Sequence, residues 1–185
     1  TGTIGFNGGL TATTLNTAAQ AYNVSIVGSS NTVTNAVTFS NTGTLTLGNG
    51  SDTIAFTGGV TATAPSSVTV NGTVSAAGTA VITLGDSNTG VSVTGDSTVG
   101  GASTGQITFG AITISDGKTL TIGASASTPI SMTTVSGVAS GSASNLTINT
   151  AGAVTVSGAI GTDIGTLTIT NSGGTTFSGA VSATT

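Results

Sequence analysis

NLTINTAGAVTVSGAIGT (residues 145–162) returns almost unchanged as TLTITNSGGTTFSGAVSA (residues 166–183), at a displacement of 166 − 145 = 21. Leu146 falls on Leu167, Ile148 on Ile169, Gly152 on Gly173, and Ser157-Gly158-Ala159 on Ser178-Gly179-Ala180. Self-similarity at a period of about 20 to 50 residues is the mark of a solenoid, in which each repeat is one supersecondary unit that needs its neighbours to bury a core.

Working outward from this pair, the rest of the chain is built from one local word, an apolar–Thr–apolar triplet. Val37-Thr38-Phe39, Leu45-Thr46-Leu47, Val68-Thr69-Val70, Ile107-Thr108-Phe109, Ile112-Thr113-Ile114, Leu120-Thr121-Ile122 and Val154-Thr155-Val156 are instances. Alternate side chains of a strand face opposite sides, so the two apolar residues point inward and the threonine outward. Threonine suits that outer position because it is β-branched, which favours strand, and polar, which tolerates water. Gly48-Asn49-Gly50, Asn71-Gly72 and Gly173-Gly174 punctuate the triplets as turns. Only Leu10 to Tyr22, with its alanines, carries a helical signal, and for one turn at most.

Composition narrows the function. Charged residues make up 3% of the 185 residues, against about a quarter in ordinary domains, and there is no Cys, His or Trp. One lysine (Lys118) cannot neutralise a phosphate backbone, so nucleic acid is not an expected partner. The usual acid–base and zinc-binding side chains are nearly all missing, so an enzyme is not expected. No run of about 20 apolar residues predicts a membrane span. A low-charge, hydroxyl-rich surface fits an extracellular setting. The apolar fraction of 36% is too high, and the net charge of −4 too low, for a disordered chain.

Two further matches bear on organisation. TIGFNGGLTATT (residues 3–14) resembles TIAFTGGVTATA (residues 53–64), with Phe6 on Phe56 and Gly8-Gly9 on Gly58-Gly59. SGGTTFSGAVSATT (residues 172–185) overlays residues 1–14, with Phe177 on Phe6 and Ala183-Thr184-Thr185 on Ala12-Thr13-Thr14. The second overlay predicts that the last coil returns in the phase of the first, as in a segment of a longer array or a subunit that continues into its neighbour.

The predicted fold is all-β, a right-handed parallel β-helix of roughly nine coils forming a single domain over residues 1–185. Tandem immunoglobulin-like sandwiches are the alternative, since turn signals about every 8 to 12 residues suit those as well. The self-match of residues 145–162 and the scarcity of aromatics speak against them.

With its triplets and the words Ser157-Gly158-Ala159-Ile160, Ser178-Gly179-Ala180-Val181 and Thr57-Gly58-Gly59-Val60, the chain resembles the β-strand-repeat regions of giant bacterial surface proteins, the filamentous-haemagglutinin-like adhesins and autotransporter passengers. The resemblance covers nearly the whole chain through its repeat style. It implies a right-handed parallel β-helix, secretion, and work as an adhesin, fibre or surface layer, with no catalytic motif to carry over.

Candidate sites are few. Gly48-Asn49-Gly50-Ser51-Asp52 matches part of a calcium-binding nonapeptide, which makes Asp52 a weak Ca²⁺ candidate, although one copy lacks a stacked partner and a polar turn explains it as well. Thr-x-Thr words such as Thr44/Thr46, Thr61/Thr63, Thr119/Thr121 and Thr166/Thr168 are what an ice-binding solenoid displays, but their unequal spacing scatters them. Tyr22 and the phenylalanines offer rings for surface glycans, against their more usual place in a core. The leading expectation is a structural, extracellular building block that associates end to end as a homopolymer or tandem array. Unpaired strand edges drive such association. The predicted interface is Thr3, Ile4, Phe6, Leu10 and Ala12 in the first coil against Thr175, Phe177, Val181 and Ala183 in the last. A binding module for ice or carbohydrate is the alternative.

Overall fold

The triplets become short parallel strands, and each strand hydrogen-bonds to its counterpart one coil away. The computed structural model describes residues 2–124 and 126–183, and Thr184 and Thr185 of the terminal overlay lie outside that range. The described residues are all-β, without a helix, and wind into a parallel β-solenoid of about eight turns.

One column of paired residues traces the winding: Ile4, Val24, Leu45, Val68, Val91, Ile112, Val135, Ile160, Val181. These positions bound about eight turns, and at about 4.8 Å per rung the rod is about 40 Å long. Coil length varies from 24 − 4 = 20 to 160 − 135 = 25, yet this column stays paired throughout.

Three faces make up each coil. The first carries the column above. The second carries Ile54, Val74, Val99, Ile122, Ile148 and Ile169 in register. The third is a separate seven-stranded sheet carrying Val37, Val60, Ile82, Ile107, Ile130 and Val154. The first two faces merge into one 14-stranded sheet because the strands Thr44–Phe56, Ser67–Ala76 and Ile160–Asn171 run through the corner between them.

The core is one narrow column of aliphatic side chains with balanced volumes. Phe39 and Phe56 meet edge to face, with ring centroids 5.9 Å apart, and both are fully buried. Small residues make room for them: Ala62 follows Phe39 on the third face and Ala76 follows Phe56 on the second. A core this thin holds few such rings at native packing density.

Turning the chain at every corner leaves backbone groups without a ladder partner, and inward polar side chains meet them. Among the described residues the buried polar side chains are Asn31, Asn41, Asp52, Thr89, Ser97, Ser103, Thr128, Ser144 and Thr150, all at or beside a corner. Between the second and third faces, Ser103 donates to the carbonyl of Ala80, Thr128 to that of Ser103, and Thr150 to that of Thr128, each one coil back. Ser103 and Thr150 also accept from the N–H groups of Gly105 and Gly152, both at 2.9 Å. Asn31 does the same work within an otherwise aliphatic column. It accepts from the Leu10 N–H at 3.1 Å and donates to the Thr53 carbonyl at 3.2 Å.

Three sequence expectations need correction. Leu10 to Tyr22 forms no helical turn; Thr11–Ala12 is strand, and the Tyr22 hydroxyl accepts from the Ala18 N–H at 2.7 Å. The match of residues 3–14 to residues 53–64 is not a structural register. Thr3–Phe6 lies on the first face and residues 53–56 on the second. The terminal overlay fails similarly, since Phe177 pairs with Val156 on the third face, whereas Phe6 pairs with Ile26 on the first. The true equivalent of Ile4 is Val181, a displacement of 181 − 4 = 177, where the overlay used 172 − 1 = 171.

The three look-alike segments turn out to be one strand–glycine–strand word placed at three different corners. Residues 3–12 join the first face to the second, 53–62 the second to the third, and 175–183 the third to the first. Glycine is required there for close approach: a Cβ on Gly58 would enter the backbone at Asn35 and Ala36, and Gly59 has φ +100°. Similar local geometry at each corner explains why sequence similarity alone misplaced the segments.

Replacing Thr150 with valine keeps the shape but strands the Gly152 N–H and the Thr128 carbonyl. The expected loss is about 1–3 kcal/mol, read as a lower denaturation midpoint with an unchanged far-UV spectrum. Ile148→Ala, which leaves a cavity, is expected to cost about 2–5 kcal/mol.

Candidate functional site

Among the described residues, the outermost coils have a neighbouring coil on one side only. Among the described residues, Thr3–Phe6 pairs only with Asn23–Ile26 and Thr11–Ala12 only with Ser30–Val33. At the opposite end Thr175–Phe177 pairs only with Val154–Val156, and Val181–Ala183 only with Ile160–Asn171. Each of these strands keeps one row of backbone donors and acceptors unladdered.

The same coils leave core-column side chains uncovered. Ile4 is 48% exposed, Ile169 43% and Val181 44%, whereas Val24, Ile148 and Ile160, one coil inward, are buried. Phe6, Leu10, Leu167, Phe177 and Ala183 are half-buried against the core. All nine predicted interface residues therefore stand in the two outermost coils. Ile4, Phe6, Phe177, Val181 and Ala183 continue inward-facing columns, while Thr3 continues an outward one. Sequence reasoning missed Ile169, which is exposed, and Leu167, which is half-buried; no described coil lies beyond either.

Asp52 is turned into its own corner. Its carboxylate accepts from the Asn49 N–H at 2.8 Å, and the residue is buried at 8% exposure. The position paired with it in the next coil is Gly72, which carries no charge. Among the described residues no group of three or more acidic, His or Cys side chains converges on one point. The turn itself accounts for Asp52.

Charge is nevertheless not spread evenly. Asp52, Asp96, Asp116, Lys118 and Asp163 all lie along the edge between the first and second faces, and only Asp86 lies elsewhere, between the third face and the first. Asp86 is held in its turn, accepting from the N–H groups of Asn88 and Thr89. No short-range sequence signal reveals this segregation, because all of these positions except Asp116 and Lys118 are separated by whole coils.

The outward threonines line up as ladders. Thr53, Thr73, Thr98, Thr121, Thr147 and Thr168 form one on the second face. On the third, Thr38, Thr61, Thr83, Thr108, Ser131, Thr155 and Thr176 form another. The Thr-x-Thr words are divided among faces: Thr44/Thr46 belongs to the first, Thr119/Thr121 and Thr166/Thr168 to the second, and Thr61/Thr63 to the third. Phe39, Phe56 and Phe109 are buried and present no ring to a glycan. A shallow dip on the first face, where Gly90 and Ala111 replace larger side chains, is lined by Ser67, Ser92 and Thr113 and holds no ionisable group.

Comparison of the chain with protein-family profiles, with curated proteins and with solved structures finds no match.

Asp52→Ala is expected to cost about 1–2 kcal/mol through loss of the hydrogen bond to Asn49. The melting temperature of the unsubstituted protein is expected to be the same in calcium as in EDTA, measured by calorimetry.

Proposed function

We propose that this protein is a structural element, a β-solenoid building block of an extracellular fibre or surface adhesin, extended by coil-on-coil association of its outermost coils. The observation that carries the reading is the exposure of Ile4, Ile169 and Val181, members of core columns, beside unpaired strand edges. A second copy placed with Thr3–Phe6 over Val181–Ala183 of its neighbour covers Ile4 and Val181 and pairs those two strand edges.

Magnitudes favour association. Burying an Ile, Val or Phe side chain fully is worth about 1.5–3 kcal/mol, and each strand hydrogen bond completed adds about 0.5–1.5 kcal/mol net. Several of each offset an association cost of about 4–15 kcal/mol. No charged side chain stands on the strands that would meet, so nothing repels the junction. Resemblance to bacterial adhesin repeats, with the low-charge, hydroxyl-rich surface, supports the extracellular setting and a non-enzymatic role.

Light scattering over a range of concentrations tests this. Rod-like species that lengthen with concentration are expected, and Ile4→Asp or Val181→Asp is expected to hold the protein monomeric with its β-spectrum intact. Thr98→Asp, on a flank, is expected to leave assembly unchanged. A monomer at every concentration would overturn the reading.

A further inference from the structure

Head-to-tail stacking leaves part of the junction open. Among the described residues the first-face column has nine members, Ile4 to Val181. The second-face column has eight, from Leu10 beside Asn31 to Ile169 beside Ile148. On the third face Thr175–Phe177 is the last rung, and it precedes Val181 in the winding. The first face is therefore one rung ahead of both others. When Thr3–Phe6 of a second copy of residues 1–185 lies on Val181–Ala183, its Leu10 arrives two rungs beyond Ile169. That separation is about 9.6 Å, where one rung is about 4.8 Å.

The result is a slot one strand wide, open along the second and third faces and closed at the paired first face. Leu167, Ile169 and Phe177 stand on one wall, and Leu10 and Ala12 of the second copy on the other. The stacked copy does not reach Ile169, which keeps its 43% exposure. Both walls are strand edges with unladdered donors and acceptors. Neither Thr11–Ala12, Thr175–Phe177 nor residues 166–171 carry a charged side chain. One added strand at normal spacing meets both walls, which is how extended peptides join open sheet edges.

We propose that this slot accepts an extended, uncharged peptide segment bearing the chain's own strand–turn–strand word. The inference rests on the end-to-end stacking proposed above and names what completes it. Residues 145–156 show the chemistry required. They pair with residues 166–177, placing Leu146 on Leu167, Ile148 on Ile169 and Val156 on Phe177. At the corner between the two faces their inward Thr150 accepts from the Gly152 N–H. A segment of that pattern on the far side of residues 166–177 repeats the same contacts. A charged residue at an inward position of the segment would enter an apolar layer unpaired, so the site selects against it.

The probe is a fluorescently labelled peptide of residues 145–156, titrated by anisotropy against the unsubstituted protein and against the monomeric Ile4→Asp variant. Saturable binding to both is expected, tighter to rods than to monomers, because only a rod supplies the second wall. At fixed protein concentration the peptide is expected to lengthen the rods at least twofold. Ile169→Asp is expected to weaken peptide binding at least tenfold while rods still form, since stacking covers Val181 and not Ile169. Ile169→Thr gives a milder probe if the aspartate variant loses its β-spectrum, with about threefold weakening expected. A peptide with aspartate in place of both Leu146 and Ile148 is expected not to bind. Rods that dissolve on Ile169→Asp, or that shorten when peptide is added, would mean that copies meet over Ile169 itself and would overturn the proposal. Rods without peptide binding would overturn it and leave end-to-end stacking intact. Peptide binding at Ile169 in a protein that never forms rods would uphold the acceptor edge and overturn the stacking alone.

Discussion

Register between coils is the constraint on which the rest depends. Parallel strands satisfy their backbone only if each rung lies over the last, and a one-position slip would turn a whole strand's apolar side chains to water. Coils of unequal length are therefore held to one pairing on the faces, and whatever a longer coil adds is pushed into a corner. Core, hydroxyl ladders and glycine corners all follow from that rule.

Corners carry the cost of turning. Each bend breaks the ladder, so the chain places a serine, threonine, asparagine or aspartate inward to meet the groups left over. Ser103, Thr128 and Thr150 show the device in successive coils, each bonding to the carbonyl one rung back. Asp52 shows that even a carboxylate serves in this way, through its bond to the Asn49 N–H. The same demand shapes the exterior. Faces rich in threonine and serine stay wet without ions, and the few ions present collect at the corners.

Stacking has no natural stopping point. Each coil buries its neighbour's aliphatic layer, so an outermost coil exposes the layer that an inner coil hides. Ile4 and Val181 belong to the same column as Val24 and Ile160 and differ from them only in having a described coil on one side. Assembly of the kind proposed would continue folding by the same interactions.

Sequence by itself determined the class of fold. The return of residues 145–162 at residues 166–183 is the pairing register of the last coils, with Leu146 on Leu167 and Ile148 on Ile169. The triplets also told which residues face inward, because alternation is a property of each strand alone. What sequence left open was the assignment of strands to faces. One strand–glycine–strand word serves at all three corners, so residues 3–12, 53–62 and 175–183 look equivalent and are not. Only tertiary structure, by the way the chain passes through each corner, decided which threonines share a ladder and gathered four aspartates and a lysine on one edge. Local sequence encodes strand and turn; the sum of coil lengths sets the angle at which each one arrives.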